Sequence, residues 1–228
     1  MNFFQSIVQR RSFVSRFSGG AAALMVTMGG EVPPQSAISS RWQPERHKED
    51  DWLDRVPRKH RFVFDSTMPE GFGYALLYAS NYFVANRDGY GLQDSDLAVV
   101  IVARHFATPF AFNDAMWKKY GATISRLASF TDPKTKQAPT INLYNLPDYG
   151  LPNRSATLDA LIKRGVQFAV CQMATRQLAE PLAAAVGDDA ESVFKELREN
   201  LVSNSHLVAA GIVAVNRAQE RGYSFVSA

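Results

Sequence analysis

The residue best placed to do chemistry is Cys171, the only cysteine in the chain. It ends the apolar run Gly165-Val-Gln-Phe-Ala-Val-Cys171, and a helical segment from 173 to 185 starts directly after it. In open α/β sheets, ligands and reactive groups collect at the carboxyl ends of the strands. A thiol at a helix start also feels the positive end of the helix dipole, which favours the nucleophilic thiolate. The plainer alternative is that Cys171 serves as a small buried hydrophobe.

Two other strand ends supply partners for such a thiol. The run Leu97-Ala-Val-Val-Ile-Val-Ala103 is followed by Arg104-His105-Phe106-Ala107-Thr108-Pro109, and Arg61-Phe62-Val63-Phe64 by Asp65-Ser66-Thr67. If these strands are neighbours, the His105 imidazole comes within reach of the thiol as a base or as a stabiliser of its thiolate. Arg104 would strengthen that field and bind an anionic group. Asp65 and Thr108, on the same loops, add polar ligand-binding groups. Asn113, before a short helix, adds another or simply caps that helix. Cys171 and His105 are therefore the expected catalytic pair, with Arg104, Asp65, Thr108 and Asn113 as expected ligand contacts.

The absent signatures narrow the chemistry. There is no phosphate-binding glycine loop, no nucleophile elbow, no Cys-x-x-Cys pair and no metal-ligand cluster, so neither a cofactor nor a metal is expected. One cysteine also cannot run a dithiol cycle within one chain. A sulfur or redox step would need a partner thiol, a second subunit or a small-molecule donor.

The elements that must position these residues alternate. Strands are expected at 61–64, 97–103, 165–171, 206–210 and 223–226. Helices are expected at 72–85, 113–120, 155–163, 173–185, 188–201 and 211–221. The second strand is nearly all apolar and β-branched, as befits a parallel strand buried on both faces. Strands separated by helices predict a three-layer α/β/α sandwich around a mainly parallel, five-stranded sheet. Between 121 and 153 the periodicity fades into Asp-Pro, Ala-Pro and Leu-Pro-Asp-Tyr-Gly-Leu-Pro chemistry. This is expected to be a long loop, serving as a lid, an oligomer contact or a tolerated insertion. Residues 40–59 read as an arm leaning on the 60–228 domain, with Trp42, Trp52 and Leu53 as apolar anchors.

With 228 residues, 46% of them hydrophobic and 21% charged, the chain fits one well-buried globular domain with tails. Its net charge is +3, and the first 39 residues, holding Arg10, Arg11, Arg16 and Glu31, account for most of it. No basic stripe with interleaved aromatics is present, which argues against nucleic-acid binding. Arg10-Arg11-Ser12-Phe13-Val14, followed by the weakly apolar run 19–28, predicts a twin-arginine export signal over 1–39 and a periplasmic destination. That run is too short for an ordinary membrane span.

Four segments, in order, carry a family resemblance: Lys59-His-Arg-Phe-Val-Phe-Asp65, Arg104-His-Phe-Ala-Thr-Pro-Phe-Ala-Phe-Asn-Asp-Ala-Met-Trp-Lys-Lys-Tyr-Gly121, Gly165 through Cys171-Gln-Met-Ala-Thr-Arg176, and Leu207-Val-Ala-Ala-Gly-Ile-Val-Ala-Val-Asn-Arg-Ala-Gln-Glu-Arg-Gly-Tyr223. Over about residues 50–228 the chain resembles the DsrE-like superfamily of sulfur-relay proteins, most of all its exported members with a twin-arginine signal. The resemblance implies the three-layer fold and homo-oligomers, often trimers or hexamers. It also implies that Cys171 sits where the relay members carry a persulfide. The relay proteins themselves are cytoplasmic and work with dedicated thiol partners, and the residues after the cysteine differ here. Two functions follow as expectations. One is a protein that accepts and transfers sulfane sulfur through a Cys171 persulfide. The other is a non-catalytic oligomeric module of the same fold that binds a small ligand or partner with an inert thiol.

Overall fold

The computed structural model describes residues 43–54 and 59–228; the expected signal at 1–39 lies outside them. Five strands, β1 (His60–Ser66), β2 (Leu97–Ala103), β3 (Gln167–Cys171), β4 (Ser205–Val208) and β5 (Ser224–Ser227), form one sheet in the order β4-β3-β2-β1-β5. Every pairing is parallel. The expected three-layer α/β/α fold is therefore present.

The strand order dictates the layers. Successive steps from β1 to β4 run in one direction, so right-handed crossovers place their helices on a single face. These are α1 (Pro69–Tyr90), α2 (Asp114–Ala128), α3 (Leu158–Lys163), α4 (Gln172–Val186) and α5 (Ala190–Glu199). The return from β4 to β5 runs the other way and puts α6 (Gly211–Gln219) on the opposite face. Two cores result. Phe64, Val99, Ile101, Phe168 and Val170 pack with α1–α5, whereas Val63, Val100, Val102 and Ala169 pack with Ala214, Val215 and Ala218 of α6. Adjacent strand residues thus divide strictly between the faces, as the period of two requires.

The second face is shared with the arm. A 3-10 helix, Lys48–Leu53, buries Trp52 and Leu53 beside α6, each contributing on the order of 2 kcal/mol. Tyr223 Oη donates to the Leu53 carbonyl, and the Trp52 ring stacks on His206 at 4.1 Å.

Two helices outrun their sequence signals. Asp88-Gly89 and Gly91 read in the sequence as breaks after the helix expected at 72–85; α1 runs through Asp88-Gly89 to Tyr90 and stops only at Gly91, whose φ of 65° supplies the left-handed turn. α2 was expected to stop near Tyr120 but runs through Gly121 to Ala128. Glycine stands there because an added Cβ would overlap the Pro139 carbonyl, where the following loop crosses the helix. The expected 121–153 loop accordingly starts at residue 129, and its middle is core. Tyr144 is fully buried against Phe72 and Phe110 and donates to the Pro69 carbonyl at 2.6 Å. Asn142 Nδ2 donates to the carbonyls of Phe110 and Phe112.

Candidate functional site

Register brings three of the expected residues together. Ser66 pairs with Ala103, and Ala103 with Val170, so the residues just beyond place Arg104 beside Cys171 at the carboxyl edge. Parity adds that Asp65 shares a face with Val63, Arg104 with Val102 and Cys171 with Ala169, all on the α6 side.

Asp65 is 3% exposed and clamps Arg104 in a bidentate pair, with Nε on Oδ1 and Nη2 on Oδ2, both at 2.8 Å. These hydrogen bonds from the guanidinium to Asp65 push the Arg104 pKa further up against the opposing effect of burial; the Asp65 charge and a Coulombic interaction with Cys171 add to it. Arg104 also carries the first turn of α6. A Cβ on Gly211 would lie 2.7 Å from Arg104 Cβ and 2.8 Å from its Cδ, so only glycine lets that helix approach so closely.

Cys171 caps α4. It has extended backbone geometry, and its Sγ accepts the Ala174 amide at 3.4 Å. A cap is ordinarily an oxygen from Ser, Thr, Asp or Asn; here a sulfur takes that place. The first turn is tied further by Thr175 Oγ1, which donates to the Cys171 carbonyl at 2.9 Å. The thiol residue is 7% exposed.

The other expected residues go elsewhere. His105 lies beyond the end of β2 and opens a 3-10 helix, His105–Ala111. It takes a left-handed φ of 54°, is exposed, stacks on Phe106 and lines a shallow apolar groove with Leu127 of α2 and Ala174, Gln177, Leu178 and Pro181 of α4. Among the described residues no hydrogen bond joins it to the thiol; the group that donates to Sγ is the Ala174 amide. Thr108 is fully buried and its hydroxyl donates to the Ala103 carbonyl, which makes it a fixed part of the turn after β2. Asn113 caps α2, accepting from the amides of Ala115 and Met116 and donating to Asn200 Oδ1. It lines a separate cavity with Asn142, Asp159 and Leu201. The residues that sequence reasoning missed are Ala174, through its amide, and Gly211. A backbone amide has no sequence signal, but the glycine opening a helix was visible as one.

Among the described residues no group of His, Cys, Asp and Glu is placed to hold a metal ion, and no helix is long and apolar enough to cross a membrane. No protein-family model matches the chain, and no curated protein matches it. A solved structure of a protein of unknown function from Methanobacterium thermoautotrophicum is similar at 16% identity, over 74% of this chain and 99% of that one, with a TM-score of 0.38.

Proposed function

We propose that this chain is an exported DsrE-like protein in which Cys171 accepts sulfane sulfur and passes it on as a persulfide. The observation that carries the reading is the amide hydrogen bond to Sγ at the head of α4. An N–H aimed at sulfur, at the positive end of a 15-residue helix, stabilises negative charge on that atom. Arg104 adds a fixed positive charge on the adjoining strand end, tempered by Asp65.

In the proposed step the Cys171 thiolate attacks the outer sulfur of a donor persulfide, R–S–SH. The donor S–S bond breaks, R–S⁻ leaves with the bonding pair, and Cys171–S–SH forms. An acceptor thiolate then attacks the outer sulfur and releases the Cys171 thiolate. No net oxidant is needed. Twin-arginine export to the periplasm and assembly into trimers or hexamers belong to the same proposal and rest on the sequence resemblance.

The test is incubation with a sulfane-sulfur donor followed by intact-mass analysis. The wild type should gain one sulfur atom, and Cys171→Ser should gain none while keeping its melting temperature. A wild type that gains nothing, or a variant that still gains sulfur, overturns the proposal. The 7% exposure of Cys171 favours a second reading. In it the chain is a binding module whose thiol is a helix cap only, and Cys171→Ala leaves ligand or partner binding intact.

A further inference from the structure

The helix α1 breaks a pattern that the other long helices of its layer keep. Its inner face buries Phe72, Ala75, Leu76, Ala79 and Phe83. Its outer face is uncharged too. Tyr74, Tyr78, Asn81, Val84 and Ala85 are exposed there, with Leu77 half-buried among them. At helical spacing these six residues form one stripe about 120° wide. Residues 71–86 carry no charge, over about 24 Å of helix. By contrast, α2 turns Lys118 and Lys119 to solvent, α4 Arg176 and Glu180, and α5 Lys195 and Arg198. A helix apolar on every side belongs in an interior. Charge depletion with aromatic enrichment is the mark of an interface core.

The stripe itself says what covers it. It is graded in size, with Tyr74, Leu77 and Tyr78 in its amino half and the smaller Asn81, Val84 and Ala85 in its carboxyl half. The Tyr74 and Tyr78 rings stack on each other at 5.9 Å, so the bulky half is already set in place. A second α1 laid antiparallel, about a two-fold axis between residues 79 and 80, sets Tyr74 against Ala85 and Tyr78 against Asn81. Large then meets small at both ends, whereas a parallel pair sets large on large. The charges of α1 lie only at its ends, Glu70 at the start and the Arg87–Asp88 ion pair at the finish. The same antiparallel arrangement brings Glu70 within about one turn of Arg87 of the partner subunit.

We infer that the outer stripe of α1 is a two-fold contact between two copies of this chain. Such a contact must be complementary to itself, which the size gradient and the charged ends both satisfy. Asn81, the polar residue in the middle of the stripe, fixes the register as a lone polar group does in helix pairs. The face is narrow, so the dimer belongs to the small, reversible class of interfaces. The contact uses neither Cys171 nor Arg104, so it and sulfur transfer can fail separately.

The test is sedimentation equilibrium of the full chain from about 1 to about 200 µM, a range that brackets micromolar affinity. The wild type should form a dimer, or a hexamer built from such dimers. Tyr78→Glu should weaken the assembly at least about tenfold while keeping the far-ultraviolet circular dichroism, because Tyr78 is 40% exposed. Ala85→Trp, which fills the space assigned to Tyr74, should do the same. Tyr90→Glu, exposed but off the stripe, should change nothing. A monomer throughout, whether its stripe takes residues 1–42 or an unlike protein, would overturn the inference. So would a trimer, an assembly indifferent to Tyr78→Glu or Ala85→Trp, or one lost equally in Tyr90→Glu. A dimer that gains no sulfur would instead overturn sulfur transfer alone.

Discussion

The two edges of the sheet each hold an arginine–aspartate cluster, and the clusters balance their charge in opposite ways. At the carboxyl edge one carboxylate meets one guanidinium in a matched two-bond clamp, Asp65 with Arg104. At the amino edge one carboxylate, Asp54, is shared among Arg46, Arg61 and Arg221. A matched pair is close to neutral at a distance, so it positions its neighbours more than it attracts ions. The shared carboxylate instead ties the arm, β1 and the end of α6 together, and the neighbouring Arg217 turns to Asp50 and Glu220. The difference teaches that Arg104, expected from sequence to hold an anion, is largely spent on Asp65, and that a second arginine–aspartate cluster forms where the sequence drew no attention.

The first way to break this comparison is to unmatch the carboxyl edge. Asp65→Asn leaves the half-buried Arg104 guanidinium without its counter-charge. Removing one partner of a fully buried pair costs about 3–5 kcal/mol. Arg104 is 26% exposed, so water recovers part of this, and a loss of about 2–3 kcal/mol is expected in urea unfolding. A loss below about 0.5 kcal/mol would mean the pair is merely a surface contact.

Gly211→Ala tests the same edge from the helix side. The new methyl must displace Arg104 or push α6 outward, and about 1–3 kcal/mol of overpacking strain is expected from thermal melts. Its alkylation rate at Cys171 should also change, because Arg104 is the neighbour that moves. An unchanged melt would show that α6 has room to retreat.

The amino edge should reveal itself through acid. Burial pushes the Asp54 carboxyl upward, but hydrogen bonds from Arg61 and Arg221 and the Coulombic pull of Arg221 and Arg46 outweigh it, and its pKa lies below the usual carboxylate value. A carboxyl depressed in the folded state contributes stability above its unfolded pKa, near 3.9, and that stability is lost as pH falls through the folded value. The wild type should therefore lose a stability increment below about pH 4 that Asp54→Asn lacks. With the Asp54 side chain 42% exposed, the increment should be no more than about 1 kcal/mol. Equal acid slopes in the two proteins would remove Asp54 from the account.

The smallest effect belongs to His105. It is exposed and lacks a hydrogen bond to the thiol, so His105→Ala should alter Cys171 alkylation at neutral pH by less than about twofold. A tenfold drop would restore the imidazole to the site.

Much of the fold could be read along the chain because it is written in local patterns. Leu97–Ala103 appeared at its observed bounds since a parallel strand buried on both faces reads as a continuous apolar run. Cys171 at a strand end before a helix was legible for the same reason. The ends of α1 and α2 were not, because Gly89 and Gly121 look like breaks in isolation. Gly121 is kept helical by a loop that packs over it from eighteen residues further on. The place of His105 was not legible: it lies beyond the end of β2, where a left-handed φ and the 3-10 helix that follows, rather than strand alternation, direct its side chain.

The sequence by itself determined the alternation of strands and helices, the parallel sheet and the place of its lone thiol at a carboxyl edge. Each follows from periodicity within a dozen residues. Only the tertiary structure decided the strand order, and with it which charges meet. Asp65 and Arg104 are 39 residues apart and Asp54 and Arg221 are 167 apart. Nothing local to either end specifies such a partner. That choice is made when right-handed crossovers and two faces of core fix which strand lies beside which.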